Sequence, residues 1–292
     1  MALQSAHTPT AEPGVIPETA RPVSDVTRGV RSIQRAGAWW LTALSWGTPL
    51  ALLVAWEALA RTGVIQTIIL PAPSTVFATA GDLIATGELQ RNLLASLRRA
   101  LSGFALGATL GLLLGVLVGV SRIADALLDR TIQTARAVPF LAIIPLVIVW
   151  FGVGDSGKIF LIALGSLFPM YLNTQLGIRQ VDPKLLEMGR VMGLNRLQLV
   201  AYTLLPGALP SILNGVRLAL TTSWLALVVG ESFGASAGIG FLATNAREFL
   251  QTDVMVLVIV LYAAIGVLTD LLARTLERYC LAWHPNYATR RA

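Results

Sequence analysis

The sequence predicts an all-α, multi-pass membrane protein with six transmembrane helices, and three observations carry that reading. Hydrophobic residues make up 55% of the 292. Charged residues make up only 13%, against roughly 25% in soluble globular domains. The apolar residues also come in blocks of about 20, the length that crosses ~30 Å of hydrocarbon. The net charge of +6 is carried mostly by scattered arginines, which is not the pattern of a nucleic-acid surface. Cys280 is the single cysteine, and His7 and His284 are too far apart in sequence to suggest a zinc site, so redox and zinc chemistry are not expected.

Residues 1–38 contain Pro9, Pro13, Pro17 and Pro22 with no apolar run, which excludes a secretory signal and predicts a disordered cytoplasmic tail. The transmembrane domain is expected over 39–276, followed by a cytoplasmic tail over 277–292. The first crossing, at about 40–60, begins beside Trp39, Trp40 and Trp46, whose indoles favour the headgroup layer. The second, 101–120, carries Gly103, Gly107, Gly111, Gly115 and Gly119 at a strict spacing of four, a stripe that lets another helix approach closely. Crossings three and four, 138–153 and 159–176, form a helical hairpin around the turn Gly154–Lys158, with Pro145 and Pro169 as kinks. The fifth and sixth are 211–230 and 254–272.

Orientation follows from the basic residues. With the N-terminus inside, the cytoplasmic segments hold the majority, among them Arg122, Arg130, Arg136, Arg179, Lys184, Arg190 and Arg196. The opposite side holds Arg61, Arg91, Arg98, Arg99, Lys158 and Arg247, so both termini are expected in the cytoplasm. Two outer segments are amphipathic. Ser74 is expected to cap a helix carrying Val76, Phe77, Ala80, Leu83 and Ile84 that Gly87 stops. Phe241, Leu242, Ala246, Phe249 and Leu250 repeat the pattern. Both segments suit the outer membrane surface or an extracytoplasmic partner.

Gly152–Lys158 reads GVGDSGK, seven places of a phosphate-binding loop. Ile159 stands where the magnesium hydroxyl belongs, and the strand and soluble helix that would frame such a loop are missing. A tight turn is the reading, and any ATP the protein uses must be hydrolysed by another chain.

The polar interruption at 179–210 specifies two short helices. Asp182 caps the first and Pro183 opens it; Leu185, Met188 and Met192 form its apolar stripe, and Gly193 ends it in the left-handed conformation. Asn195 and Gln198 start the second as a capping-box variant, with Leu197, Val200, Ala201 and Leu204 on one face until Pro206 ends it. The residues alone fit either a stiff handle that transmits force or a helix pair in the headgroup layer.

Here the chain resembles the inner-membrane permease subunits of ABC importers, whose loop signature is E-A-A, three residues, G, nine residues, I-x-L-P. Glu187, Met188, Gly189, Gly193, Thr203, Leu204, Leu205 and Pro206 follow it, departing at Met188, Gly189 and Thr203. Within that family, ILPAPSTVF from Ile69, IPLVIVWFG from Ile144, LPGALPSILNGVR from Leu205 and NAREFLQTDV from Asn245 look closest to aliphatic-sulfonate permeases, with taurine and nitrate permeases nearby. The likeness runs from about Trp40 to Tyr287. It implies a type I importer with a MetI-like core and cytoplasmic coupling helices, in the bacterial inner membrane. Two permease copies, two cytoplasmic ATPase subunits holding ATP and Mg2+, and an extracytoplasmic binding protein would complete it, with no cofactor on this chain. By the same resemblance the coupling residues are Asp182, Glu187, Met188, Gly189, Gly193, Asn195 and Pro206. Glu187 would contact the ATPase, Gly193 would make the bend, and Asp182 and Asn195 would keep the helices stiff.

For the solute path, Arg217 is read as the one formal positive charge embedded in a crossing, about seven residues past Pro210. Either it eases an anion's passage or it snorkels to the cytoplasmic interface, the commoner use of a long side chain near a helix end. Asn173, Gln175, Thr222 and Ser223 are further lining candidates, although helix–helix hydrogen bonds are the commoner use of such groups. Asp270 and Arg274 are expected to pair at i,i+4. An ion-driven secondary transporter would show embedded acidic relays, whereas Glu57, Glu231 and Asp270 fall near helix ends. A structural anchor would not need the elbow, and an enzyme would need a nucleophile–base pair, metal cluster or paired carboxylates that the sequence does not show.

Overall fold

The computed structural model describes residues 38–283, with side chains described from Gly47 onward. The expectations for the two tails fall largely outside this range, although the last helix continues to Cys280. All regular structure among the described residues is helical. The elements are α1 (Ala38–Arg61), α2 (Pro73–Ala85), α3 (Glu88–Val120), α4 (Arg122–Arg136), α5 (Phe140–Phe151), α6 (Asp155–Arg179), α7 (Pro183–Val191), α8 (Arg196–Glu231), α9 (Ile239–Glu248) and α10 (Thr252–Cys280). Four of these, α3, α6, α8 and α10, are long and apolar enough to span a membrane; α4 and α5, bent by 97° at their junction, make a fifth only if the pair is one broken span rather than a re-entrant loop. The chain divides into two units, Met1–Ala58 and Leu59–Ala292. In the first, α1 covers the first expected crossing, with Pro49 inside it. The rest concerns the second.

The centre of the second unit is the contact of α3 with α6, and the glycine stripe creates it. A Cβ at Gly103 would stand 2.5 Å from Ile162 Cβ, one at Gly111 2.5 Å from Leu167 O, and one at Gly115 2.6 Å from Thr174 Cβ. At Gly107 it would overlap the Ala163 carbonyl. The facing residues Ile162, Ser166, Met170, Thr174 and Ile178 repeat every four positions as the glycines do, so two period-four ridges interlock at backbone distance. α6 also packs on α8, in a core that holds Met170, Ile178, Ala208, Ile212 and Ala219.

Several boundaries differ from the sequence reading. The second crossing begins at Glu88, not Leu101, so Arg98 and Arg99 belong to the helix and not to an outer loop. The third is only 12 residues, about 18 Å of helix and too short alone for hydrocarbon. Pro139 is the reason: it lacks an N–H and forces Val138 out of the α region, so the chain turns there before α5 begins. The expected hairpin of two full crossings is therefore a half-length helix beside a full one.

Pro206 does not end a helix, because a π turn at Val200–Leu204 precedes it. The wider turn absorbs the missing donor, and α8 runs on from Arg196 into the membrane. At α2 the cap is Ala72 with Pro73 at the first position; Ser74 lies inside the helix and its side chain makes no cap bond. Val76 is buried but Phe77 is exposed. In α9, Leu242 and Ala246 pack against Leu89, Val254 and Val258 of α3 and α10, so that face is occupied by the chain itself; Phe249 and Leu250 remain exposed.

Gly107→Val is expected to lower stability by about 1–3 kcal/mol or more by forcing α3 off α6, read as a fall in the thermal midpoint of the purified protein in detergent. Gly266→Ala, with nothing within 4 Å of its added carbon, should leave that midpoint at or above wild type.

Candidate functional sites

Three regions carry chemistry: the elbow formed by α7 and the start of α8, a cleft at the Pro139 bend, and a charged cluster at the opposite ends of the long helices.

The elbow forms with its caps in place. Asp182 Oδ1 accepts from Lys184 N at 2.9 Å, satisfying a donor that the start of α7 leaves orphaned. Gly193 takes φ +81°, and its N–H and that of Leu194 close back onto Arg190 O and Gly189 O at 3.0 and 3.1 Å. Asn195 and Gln198 exchange side-chain-to-backbone bonds of 2.9 Å each way. Gly189 is buried under Leu199, and Leu186 packs on the core formed by Ile178, Val181 and Leu204. That anchors one face of α7. The other face is apolar and open: Leu185, Met188, Val191 (89% exposed) and Met192 (73%), continued by Leu197 and Tyr202. Glu187 lies exposed among them. Pro206 is placed at the root of the elbow, where α8 enters the core.

The cleft has a volume of about 720 Å3 and is walled by Phe140, Leu141, Phe168, Leu172, Leu218 and Leu225, among others. Of the expected pathway residues, Asn173 and Thr222 line it. Both are held by the chain: Asn173 Nδ2 donates to Pro169 O and its Oδ1 accepts from Asn214 Nδ2, each at 2.8 Å, while Thr222 Oγ1 lies 2.7 Å from Gly165 O. Gln175 points elsewhere and donates to Asp129 Oδ1 at 3.0 Å, a carboxylate that also accepts from Tyr171 Oη at 2.6 Å. Together with the Arg179–Asp125 pair, these bonds moor α4 to α6. Ser223 is buried between helices without a hydrogen-bond partner among the described residues. Arg217 does not line the cleft; it pairs with Asp270 Oδ1 at 2.6 Å, while Arg274 takes Oδ2 of the same carboxylate at 2.6 Å, the expected i,i+4 pair.

The third region was missed in the sequence. Arg99 is 4% exposed and Glu231 1%, so Arg217 is not the one cation embedded in a crossing. Arg99 Nη1 bonds Glu231 Oε1 at 2.8 Å and Ala237 O at 2.6 Å, and its Nη2 reaches Asp155 at 2.7 Å. Ser96 Oγ donates to the same Glu231 carboxylate at 2.7 Å and accepts from Ile239 N at 2.8 Å. Asn92 Oδ1 takes Gly238 N at 2.8 Å, and Glu231 Oε2 takes Gly240 N at 2.9 Å. Side chains of α3 and α8 thus cap the start of α9, satisfying N–H groups that a helix leaves open. A signal existed: Asn92, Ser96 and Arg99 continue the glycine face of α3 toward its start, polar where the stripe is small. Both oxygens of the enclosed Glu231 carboxylate are hydrogen-bonded within the chain.

The look-alike loop is a turn around its own lysine. Lys158 is buried, and its Nζ donates to Val153 O at 2.6 Å and Gly154 O at 3.1 Å, so the ammonium is spent on the turn's carbonyls. No group of three or more metal-ligating side chains converges among the described residues.

Comparison with known proteins adds the following. Residues 107–279 match the family model described as binding-protein-dependent transport system inner membrane component. The chain is 52% identical over 254 residues to an Escherichia coli (strain K12) protein named as an aliphatic sulfonates transport permease, SsuC, covering 87% of this chain and 97% of that one. It is 44% identical to the protein of the same name in Bacillus subtilis (strain 168), covering 82% and 87%. Among solved structures, a chain of the MetNI methionine ABC transporter in inward-facing conformations aligns with TM-score 0.53 and 27% identity, over 65% of this chain and 96% of that one.

Arg99→Met leaves Glu231 buried without its counter-charge and is expected to cost about 3–5 kcal/mol, seen as a lower thermal midpoint in detergent. Adding Glu231→Gln removes the stranded charge and should recover at least half of that loss.

Proposed function

The chain belongs to the family of binding-protein-dependent transport system inner membrane components, and on that premise we propose that it is the membrane-spanning subunit of an ABC importer for aliphatic sulfonates. Its long apolar helices and its family support a place in the inner membrane, and the distribution of its basic residues supports the elbow and both termini on the cytoplasmic side. The observation that carries the coupling role is the elbow itself. Capped at both joints, it is continuous with α8 and suited to moving with it, and it offers Leu185, Met188, Val191 and Met192 with Glu187 to a partner.

In this reading two copies of the chain face each other across the pathway, and two cytoplasmic ATPase subunits, which hold ATP and Mg2+, grip the elbows. Closure of the ATPase pair carries the elbows, and the helices alternate between inward-open and outward-open states. An extracytoplasmic binding protein delivers the anion. The sulfonate assignment rests on the named relatives. An ion-driven transporter is the reading of a different class. The saturation of Glu231 by Ser96, Arg99 and Gly240 N argues against it, because a relay carboxylate must exchange protons with water or a neighbour.

Liposomes holding the permease, its ATPase and its binding protein are expected to take up alkanesulfonate in preference to taurine or nitrate, and only with ATP. Uptake that continues without the ATPase under an ion gradient overturns the proposal. Gly193→Val forces a β-branched residue into positive φ. It should cut ATP-driven uptake at least tenfold while membrane insertion, read by fractionation, stays near wild type.

A further inference from the structure

Along the long helices five basic side chains have acceptors within the chain, while several exposed ones, Arg91, Arg98, Arg122 and Arg130 among them, have none among the described residues. Arg99 holds Glu231 and Asp155, Lys158 holds two carbonyls, Arg179 holds Asp125, and Arg217 and Arg274 share Asp270. Arg136 differs. It lines the cleft at the Pro139 bend, and no hydrogen bond or ion pair engages it among the described residues. Behind it the walls are aromatic and aliphatic, and no aspartate or glutamate lines them. The polar groups Asn173 and Thr222 are engaged with the chain's own amide and carbonyl groups. At about 720 Å3, the space falls in the range of small-molecule sites.

We infer that this cleft is a transit site for the alkyl tail of the substrate, with the Arg136 guanidinium receiving the anionic head at its mouth, so that the permease itself selects for apolar, singly charged sulfonates. The inference rests on the sulfonate reading above and adds the chemical class that the membrane subunit prefers. A sulfonate keeps its charge at all relevant pH and presents three acceptor oxygens to the planar donor fork of arginine. Each methylene that leaves water along the walls multiplies affinity by about fourfold. An aminosulfonate such as taurine brings an ammonium that finds no carboxylate here. Nitrate has no tail to bury.

The test uses the complete reconstituted complex and reads ATP-dependent uptake of methanesulfonate, butanesulfonate and the longest alkanesulfonate that the wild type accepts. The same binding protein is present in every arm, so its own preference cancels in the variant-to-wild-type ratio for each anion. Leu218→Trp and Leu225→Trp narrow the cleft from positions 45% and 63% exposed, where a larger ring does not disturb the core. For each, uptake of the longest substrate relative to wild type is expected to fall at least fivefold further than uptake of methanesulfonate does. Arg136→Gln should lower all three at least tenfold at equal yield of complex, read by copurification with the ATPase, and Arg136→Lys should regain part of the loss. A ratio independent of chain length in both tryptophan variants, or wild-type uptake by Arg136→Gln, overturns the inference while leaving the importer assignment standing. Absence of ATP-driven uptake of every sulfonate by the wild type is a separate result and sinks the sulfonate reading along with it.

Discussion

Arg99 and Glu231 leave water together, and in a low-dielectric interior neither charge is tolerable without the other. Each also uses its remaining hydrogen-bonding capacity on a different element: Asp155 at the start of α6, Ala237 before α9, Ser96 of α3 and the Gly240 amide. Four helices are thereby fixed to one another at a single point. A Cβ at Gly238 would meet Glu231 Oε1 at 2.5 Å, so the backbone must come this close for the carboxylate to be satisfied. The glycine stripe of α3 then extends the same constraint along the helix, because the register set at Arg99 decides which glycine faces Ile162 and which faces Ser166.

The elbow is built on the opposite principle. Its joints are settled by contacts within a few residues: Asp182 to Lys184, Asn195 to Gln198, Gly193 to Arg190. Such caps depend on nothing elsewhere in the chain, so the elbow keeps its shape whatever the membrane helices do. In the proposed coupling role, an element to be gripped and moved benefits from that independence. Its anchoring through Gly189 and Leu186 is small beside the apolar face it leaves open.

This contrast explains what the sequence could and could not reveal. Short-range features were readable, because the residues that cause them are neighbours: the period-four glycines, the two caps, the bend glycine, the Asp270–Arg274 pair. Arg99 and Glu231 lie 132 positions apart, and each sat at the edge of an apolar block, where a charge is unremarkable. The Arg217–Asp270 bond has the same character, although two charges inside separate apolar blocks hint at each other through the cost of burying either alone. The prolines misled in both directions. Pro206 looked like a terminator because the π turn that accommodates it has no sequence mark, and Pro139 was passed over because an apolar run surrounds it.

The uninterrupted course of α8 has a geometric corollary. Its 36 residues give about 54 Å of continuous helix at 1.5 Å per residue, carried through the π turn and Pro210, with Asn195 and its box at one extremity and the Glu231 grip on α9 at the other. Had Pro206 broken it, rotation of the handle would be dissipated at a hinge on the near side of the bilayer. As one rod, a tilt of roughly ten degrees about its midpoint sweeps each tip by about 5 Å, enough to shift the far terminus by the width of an atom shell while the near one swings the other way. The elbow and the Glu231 cluster are thus two ends of the same helix.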